Sequence, residues 1–227
     1  MSKNTLTAEQ RLLLCMVLPN AFAVPVMLSS VNAALPVVAA DIRLTALELS
    51  WVPTAYLMAS SMFVLVFGRL ADMWGRKIIF LFGAGTVVAS SLLASMASNG
   101  SELVFARFLQ GFGAAMLYAT QMALISSVFP KENRGQAISW LISLIYVGLA
   151  VGPLLGGIMT EYYGWRSVFY LQVPLGLFVL YVGTFRVRTE GSAVNLGEFD
   201  YIGAFLYVFS IGLLCQPTAP LFGYPTL

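Results

Sequence analysis

Long apolar runs separated by short polar stretches organise this chain. A helix crossing a bilayer needs roughly 20 mostly apolar residues. Read on that scale, the runs fall at about Leu12–Val38, Leu49–Phe67, Ile78–Ala97, Leu103–Phe129, Ala137–Thr160, Ser167–Phe185 and Tyr201–Gln216. Backbone amides in lipid must find partners within the segment, so each run predicts a helix rather than a strand. The last run is the shortest and is followed by Pro217, Pro220 and Pro225. The expectation is an all-α membrane protein.

Composition agrees. Apolar residues make up 59% of the 227 positions and charged residues only 10%, against the roughly 45–50% apolar usage of a soluble domain. There is no histidine, which excludes imidazole metal ligation and histidine-based catalysis. Cys15 and Cys215 both lie inside apolar runs, which argues against a disulfide framework or thiolate metal cluster. With no nucleophile–base pair and no phosphate-binding loop, neither an enzyme nor a nucleic-acid binder is expected; the expected partner is the lipid bilayer. Lys3 and Arg11 precede an apolar run in which Ala21-Phe22-Ala23 mimics a leader cleavage site. That run continues to about Ala40, too long for the core of a leader peptide, so the first helix is expected to stay.

Charge placement sets an orientation. Lys3, Arg11, Arg69, Arg76, Lys77, Lys131, Arg134, Arg186 and Arg188 precede the first run or follow runs two, four and six. The loops after runs one, three and five hold only Arg43 and Arg166. The positive-inside rule then places the N-terminus in the cytoplasm.

Several stretches carry candidate chemistry. Between runs two and three lies Gly68-Arg69-Leu70-Ala71-Asp72-Met73-Trp74-Gly75-Arg76-Lys77. It reads as a polar turn whose two glycines allow a tight reversal; its charges could orient the helices, bind headgroups or pair with another part of the protein. Arg107, with Gln110 one turn on, lies inside run four. A guanidinium there either faces protein or a wet cavity, which makes it a functional candidate, or snorkels to the interface. In run five Gly148, Gly152 and Gly156 recur every four residues around Pro153, with Gly157 trailing. Such a smooth face suits close helix packing. Asn20, Ser29 and Asn32 in run one, with Tyr56, Tyr118 and Tyr146, either line a cavity or bond neighbouring helices.

These stretches resemble the major facilitator superfamily. The segment from Gly68 to Lys77 is similar to that family's loop between helices two and three, with Met73 where an arginine is usual. Arg107-Phe108-Leu109-Gln110-Gly111-Phe112-Gly113 resembles the helix-four motif tied to proton coupling. The segment from Gly148 to Gly157 resembles the helix-five motif of the antiporter branch. Asn32-Ala33-Ala34-Leu35-Pro36, Ser50-Trp51-Val52 with Ala55-Tyr56, Trp165-Arg166 with Phe169 and Pro174, and Phe199-Asp200-Tyr201 with Gly203 look like the fourteen-helix drug:proton antiporters.

The resemblance implies the six-helix N-terminal half of a major facilitator fold plus a seventh transmembrane helix. It divides the chain into a cytoplasmic N-terminus (1–11), a six-helix transport domain (12–185), a cytoplasmic linker (186–200) and a seventh helix with a truncated end (201–227). The implied activity is proton-coupled export of small hydrophobic or cationic compounds across the inner membrane of a bacterium. No cofactor is implied beyond the proton gradient. Gly68, Arg69, Asp72, Gly75, Arg76 and Lys77 would hold the cytoplasmic side shut, and Arg107 with Gln110 would tune a proton-accepting group. The helix-five glycines would let two halves pack closely. One departure stands out: Met27 occupies a position that is usually acidic, leaving Asp41, Glu48 and Glu102 as substitutes to consider. A missing second half, supplied by another polypeptide or a second copy, is the other; the alternative reading is a membrane fragment that binds a partner and transports nothing.

Overall fold

The computed structural model describes residues 6–187 and 200–214, and every element among them is helical. Runs one to five and seven each become a helix and run six becomes two, and the helices of the first six runs start before their runs do. They are α1 (Ala8–Asp41), α2 (Ala46–Trp74), α3 (Arg76–Ser95), α4 (Gly100–Val128), α5 (Lys131–Tyr163), α6 (Arg166–Tyr170), α7 (Gln172–Phe185) and α8 (Tyr201–Leu214). Hydropathy marks only the lipid-facing length, whereas caps decide where a helix starts. Thr7 and Gln10 form a reciprocal capping box at α1, as do Thr45 and Glu48 at α2, and the Asn99 side chain accepts from Glu102 N at α4. Helix α1 therefore takes in Ala8 to Arg11, residues assigned from hydropathy to an N-terminal tail.

Six helical stretches are long and apolar enough to cross a membrane, with α6 and α7 counted as one stretch. The interruption at Leu171 has a local cause. Pro174 has no N–H to donate to the carbonyl of Tyr170, four residues back. Helix α8 is a shorter apolar helix of 14 residues, about 21 Å at 1.5 Å per residue. The linker predicted at 186–200 lies mostly outside the described residues, as does the chain after Leu214.

Neighbouring helices run in the order α5, α1, α7, α3, α4, α2, α8, with α1 also touching α4 and α2 touching α3. Where helices meet most closely, glycine replaces a side chain. A Cβ at Gly111 of α4 would collide with the Tyr56 carbonyl oxygen of α2, and one at Gly113 would fall 3.0 Å from the Gly83 carbonyl oxygen of α3. The core between α1, α3, α4 and α7 is built on Leu13, Met16, Phe80, Leu117 and Val179, none of them measurably exposed. Arg107 and Gln110 are equally inaccessible in the same interior.

Candidate functional site: a buried arginine and the residues around it

Arg107 lies two turns into α4, and its guanidinium points into the bundle. Nε donates to the Val52 carbonyl of α2 at 3.3 Å and Nη1 donates to Gln110 Oε1 at 2.8 Å. The close α2–α4 approach at Gly111 brings that carbonyl within reach. The amide of Gln110 then donates from Nε2 to Ser91 Oγ of α3 at 2.9 Å and to Met27 Sδ of α1 at 3.2 Å. The guanidinium also stacks over the Tyr56 ring, 4.6 Å from its centroid, a contact worth about 2 kcal/mol when desolvated. The Tyr56 hydroxyl lies 3.1 Å from that of Tyr118. Four helices therefore meet at one cation. Snorkelling is excluded, because Arg107 is 0% exposed.

None of the three candidate acids reaches this cluster. Glu48 and Glu102 are spent at helix starts: Glu48 Oε2 accepts from Thr45 N and Oγ1, while Glu102 accepts from Ser98 N and Asn99 Nδ2. Asp41 Oδ2 accepts from Trp165 Nε1 at 2.8 Å and Arg166 Nη1 at 3.0 Å. Arg166 Nη2 adds a bond to the Ala97 carbonyl at 3.1 Å. This clamp joins the ends of α1 and α3 to the start of α6; sequence reading had Trp165-Arg166 as one motif and Asp41 as a candidate acid, without pairing them.

At the other end of the bundle, the tight reversal expected within Gly68 to Lys77 is present but uses one glycine rather than two. Helix α2 runs straight through Gly68 to Trp74, and α3 begins at Arg76. Nothing in Arg69 to Trp74 breaks a helix, so the reversal falls on Gly75 alone, with φ 103° and ψ 128°. Asp72 Oδ1 accepts from Arg76 Nε at 3.1 Å and Nη2 at 3.0 Å across that turn. Arg76 also reaches the Ala123 carbonyl of α4, and Lys77 donates to the Val187 carbonyl just beyond α7. Arg69 points elsewhere. It lines a cleft of about 410 Å³ between α2 and α8 with Asp200, Leu65 and Tyr207.

The glycines of α5 face α1, within this same bundle. A Cβ at Gly148 would lie 2.6 Å from the Phe22 carbonyl oxygen. At Gly152 it would lie 2.8 Å from that of Val26, and at Gly156 2.6 Å from that of Ser30. Ser30 Oγ donates to the Gly152 carbonyl at 2.6 Å across the seam. The expectation that these glycines let two halves pack closely is therefore corrected. Pro153 and Gly157 lie off the seam and are exposed.

The six candidate cavity residues do not converge. Tyr56 and Tyr118 join the arginine cluster. Asn20 is buried, Ser29 bonds back to the Pro25 and Val26 carbonyls of its own helix, Asn32 is exposed, and Tyr146 is 67% exposed on α5. Sequence reading missed Ser91, and it left Ser30 open between lining a cavity and bonding a neighbouring helix, the second of which the bond to Gly152 shows. Both sit in adjacent serine pairs within apolar runs, and composition alone does not say which of a pair faces inward.

The described residues form a bundle with six stretches long and apolar enough to cross a membrane, a desolvated cation in its interior and a charge-paired helical turn at one end. The profile of the Major Facilitator Superfamily matches residues 17–224, and the chain belongs to that family, whose members are membrane transporters and not enzymes. It is 34% identical over 155 residues to the riboflavin transporter RibZ of Clostridioides difficile, covering 68% of this chain and 34% of that protein. With the multidrug resistance protein Stp of Mycobacterium tuberculosis (strain CDC 1551 / Oshkosh) it shares 32% identity over 185 residues, 81% of this chain and 34% of Stp. With a probable actinorhodin transporter of Streptomyces coelicolor it shares 34% over 190 residues, 82% of this chain and 33% of that protein. The chain thus spans about a third of the length of these relatives.

Proposed function

We propose that this bundle forms one side of the path of an exporter of hydrophobic organic compounds, driven by protons moving inward. Its setting would be the inner membrane of a bacterium, with the N-terminus in the cytoplasm. The observation that carries this reading is the Arg107 cluster. A guanidinium removed from water costs several kcal/mol unless it is paired, and a structural role would be met by an uncharged hydrogen-bonding residue. The relatives support it, since their names speak of multidrug resistance and of actinorhodin transport. The Asp72–Arg76 pair would hold the cytoplasmic end closed, and alternating access would rock this bundle against a second one, a second copy when the chain is expressed alone.

A second reading rests on α5. Val147, Leu154, Ile158 and Tyr162 are exposed along it, so its outer side also suits a bundle that packs on a partner and moves nothing. Inside-out vesicles carrying the chain separate the two. Under the transport reading, adding a hydrophobic substrate to vesicles holding a proton gradient partly collapses that gradient, as a pH-sensitive dye reports. An unchanged gradient with every compound tried, in vesicles shown to contain the protein, favours the partner-binding reading.

A further inference from the structure

The hydrogen-bonding groups around Arg107 do not balance. On the donor side stand a five-N–H guanidinium, the two N–H bonds of the Gln110 amide, and the hydroxyl protons of Tyr56 and Tyr118. On the acceptor side stand the Val52 carbonyl, Gln110 Oε1, Ser91 Oγ, the Met27 thioether and whichever of the two tyrosine oxygens accepts from the other. A thioether is a weak acceptor. Arg107 Nη2 is buried and has no hydrogen-bond partner. Nor does the guanidinium have a counter-ion among the described residues. The ion pairs there are Arg76–Asp72 and Arg166–Asp41. Glu48, Glu102 and Asp200 accept at helix starts, and Glu9, Glu132 and Glu161 are exposed.

The geometry points to an anion site completed by Arg107 Nη2 and the Tyr118 hydroxyl, for a monovalent group with exposed lone pairs. A carboxylate on the cargo and an inorganic halide share that chemistry. Tyr118 is half-buried, whereas Arg107, Gln110, Ser91, Met27 and Tyr56 are all buried, so Tyr118 is the member of the cluster nearest the outside. An uncompensated positive charge at this point disfavours a simple lipophilic cation and favours an acid-bearing or zwitterionic compound. Naming the anion as cargo rests on the exporter reading; the site itself does not.

The test is binding, without transport. The full chain, purified in detergent, is titrated at constant ionic strength with sodium benzoate or sodium chloride while its thermal midpoint is followed. Wild type should show a saturable rise of a few degrees with at least one anion; benzoate identifies a cargo carboxylate, and chloride alone an inorganic ion. Met27→Glu supplies a carboxylate beside Gln110 from within the chain. It should raise the midpoint without added anion and abolish the saturable rise. Arg107→Gln should lose the rise as well, but its folding is at risk, so Met27→Glu decides. No saturable rise in wild type, or the same rise in Met27→Glu, overturns the site. Transport in vesicles with no anion-dependent rise would leave the exporter reading standing and remove this one.

Discussion

Ser30 Oγ of α1 donates to the Gly152 carbonyl of α5 at 2.6 Å, across a seam where three α5 glycines lie against the α1 backbone. The stripe is therefore a device for holding this bundle together. Gly156→Ala would drive a methyl to 2.6 Å from both Cα and the carbonyl oxygen of Ser30. Neither atom can swing aside, so the helices must separate, at about 1–3 kcal/mol. Gly157→Ala meets nothing within 4 Å and should be neutral or slightly stabilising. Thermal unfolding in detergent checks the pair; equal midpoints would contradict the seam.

The turn between α2 and α3 rests on one residue. Gly75 has φ 103°, which an L side chain adopts only at about 1–3 kcal/mol. Gly75→Ala should lower the midpoint accordingly. Gly68→Ala, within α2 and with open space around it, should raise stability by about 0.5–1 kcal/mol through helix propensity. Opposite signs for two glycines seven residues apart are the expected result.

Asp41 binds two donors through one oxygen, and they differ in worth. The Arg166 side chain is 42% exposed and that of Asp41 50%, so solvent screens their ion pair and it adds little to stability. Trp165 is 3% exposed, and leaving its indole N–H without a partner costs about 1–3 kcal/mol. Asp41→Asn keeps an oxygen for the indole and should be mild, whereas Asp41→Ala should be clearly worse. Equal losses in urea titrations would show that charge, not the indole bond, matters there.

Asp72 and Arg76 are each more than a third exposed, so their pairing adds little to stability. Asp72→Asn should insert and unfold like wild type, yet reduce efflux to the empty-vector level. Normal efflux in that variant would remove the closing role given to this pair.

Hydropathy made the helices legible because lipid imposes one length and one kind of backbone pairing on every span. It also singled out Arg107, since a charge in a spanning helix is conspicuous. Boundaries were less legible, as the capping box at Thr7 and the single-residue turn at Gly75 are set by local hydrogen bonds and one backbone angle. The partner surface of the α5 glycines was misassigned, because a four-residue repeat defines a smooth face without saying what lies against it. Ser91 could not be foreseen either; it gains meaning only when α3 sets it beside Gln110.

The most direct test follows efflux of fluorescent compounds from cells expressing this chain, with and without a proton uncoupler. A lipophilic cation and a lipophilic weak acid are run in parallel. The account predicts export of at least one above the empty-vector control, abolished by the uncoupler, with the weak acid preferred. Neither compound leaving faster than from control cells, with the protein confirmed in the membrane, would contradict it.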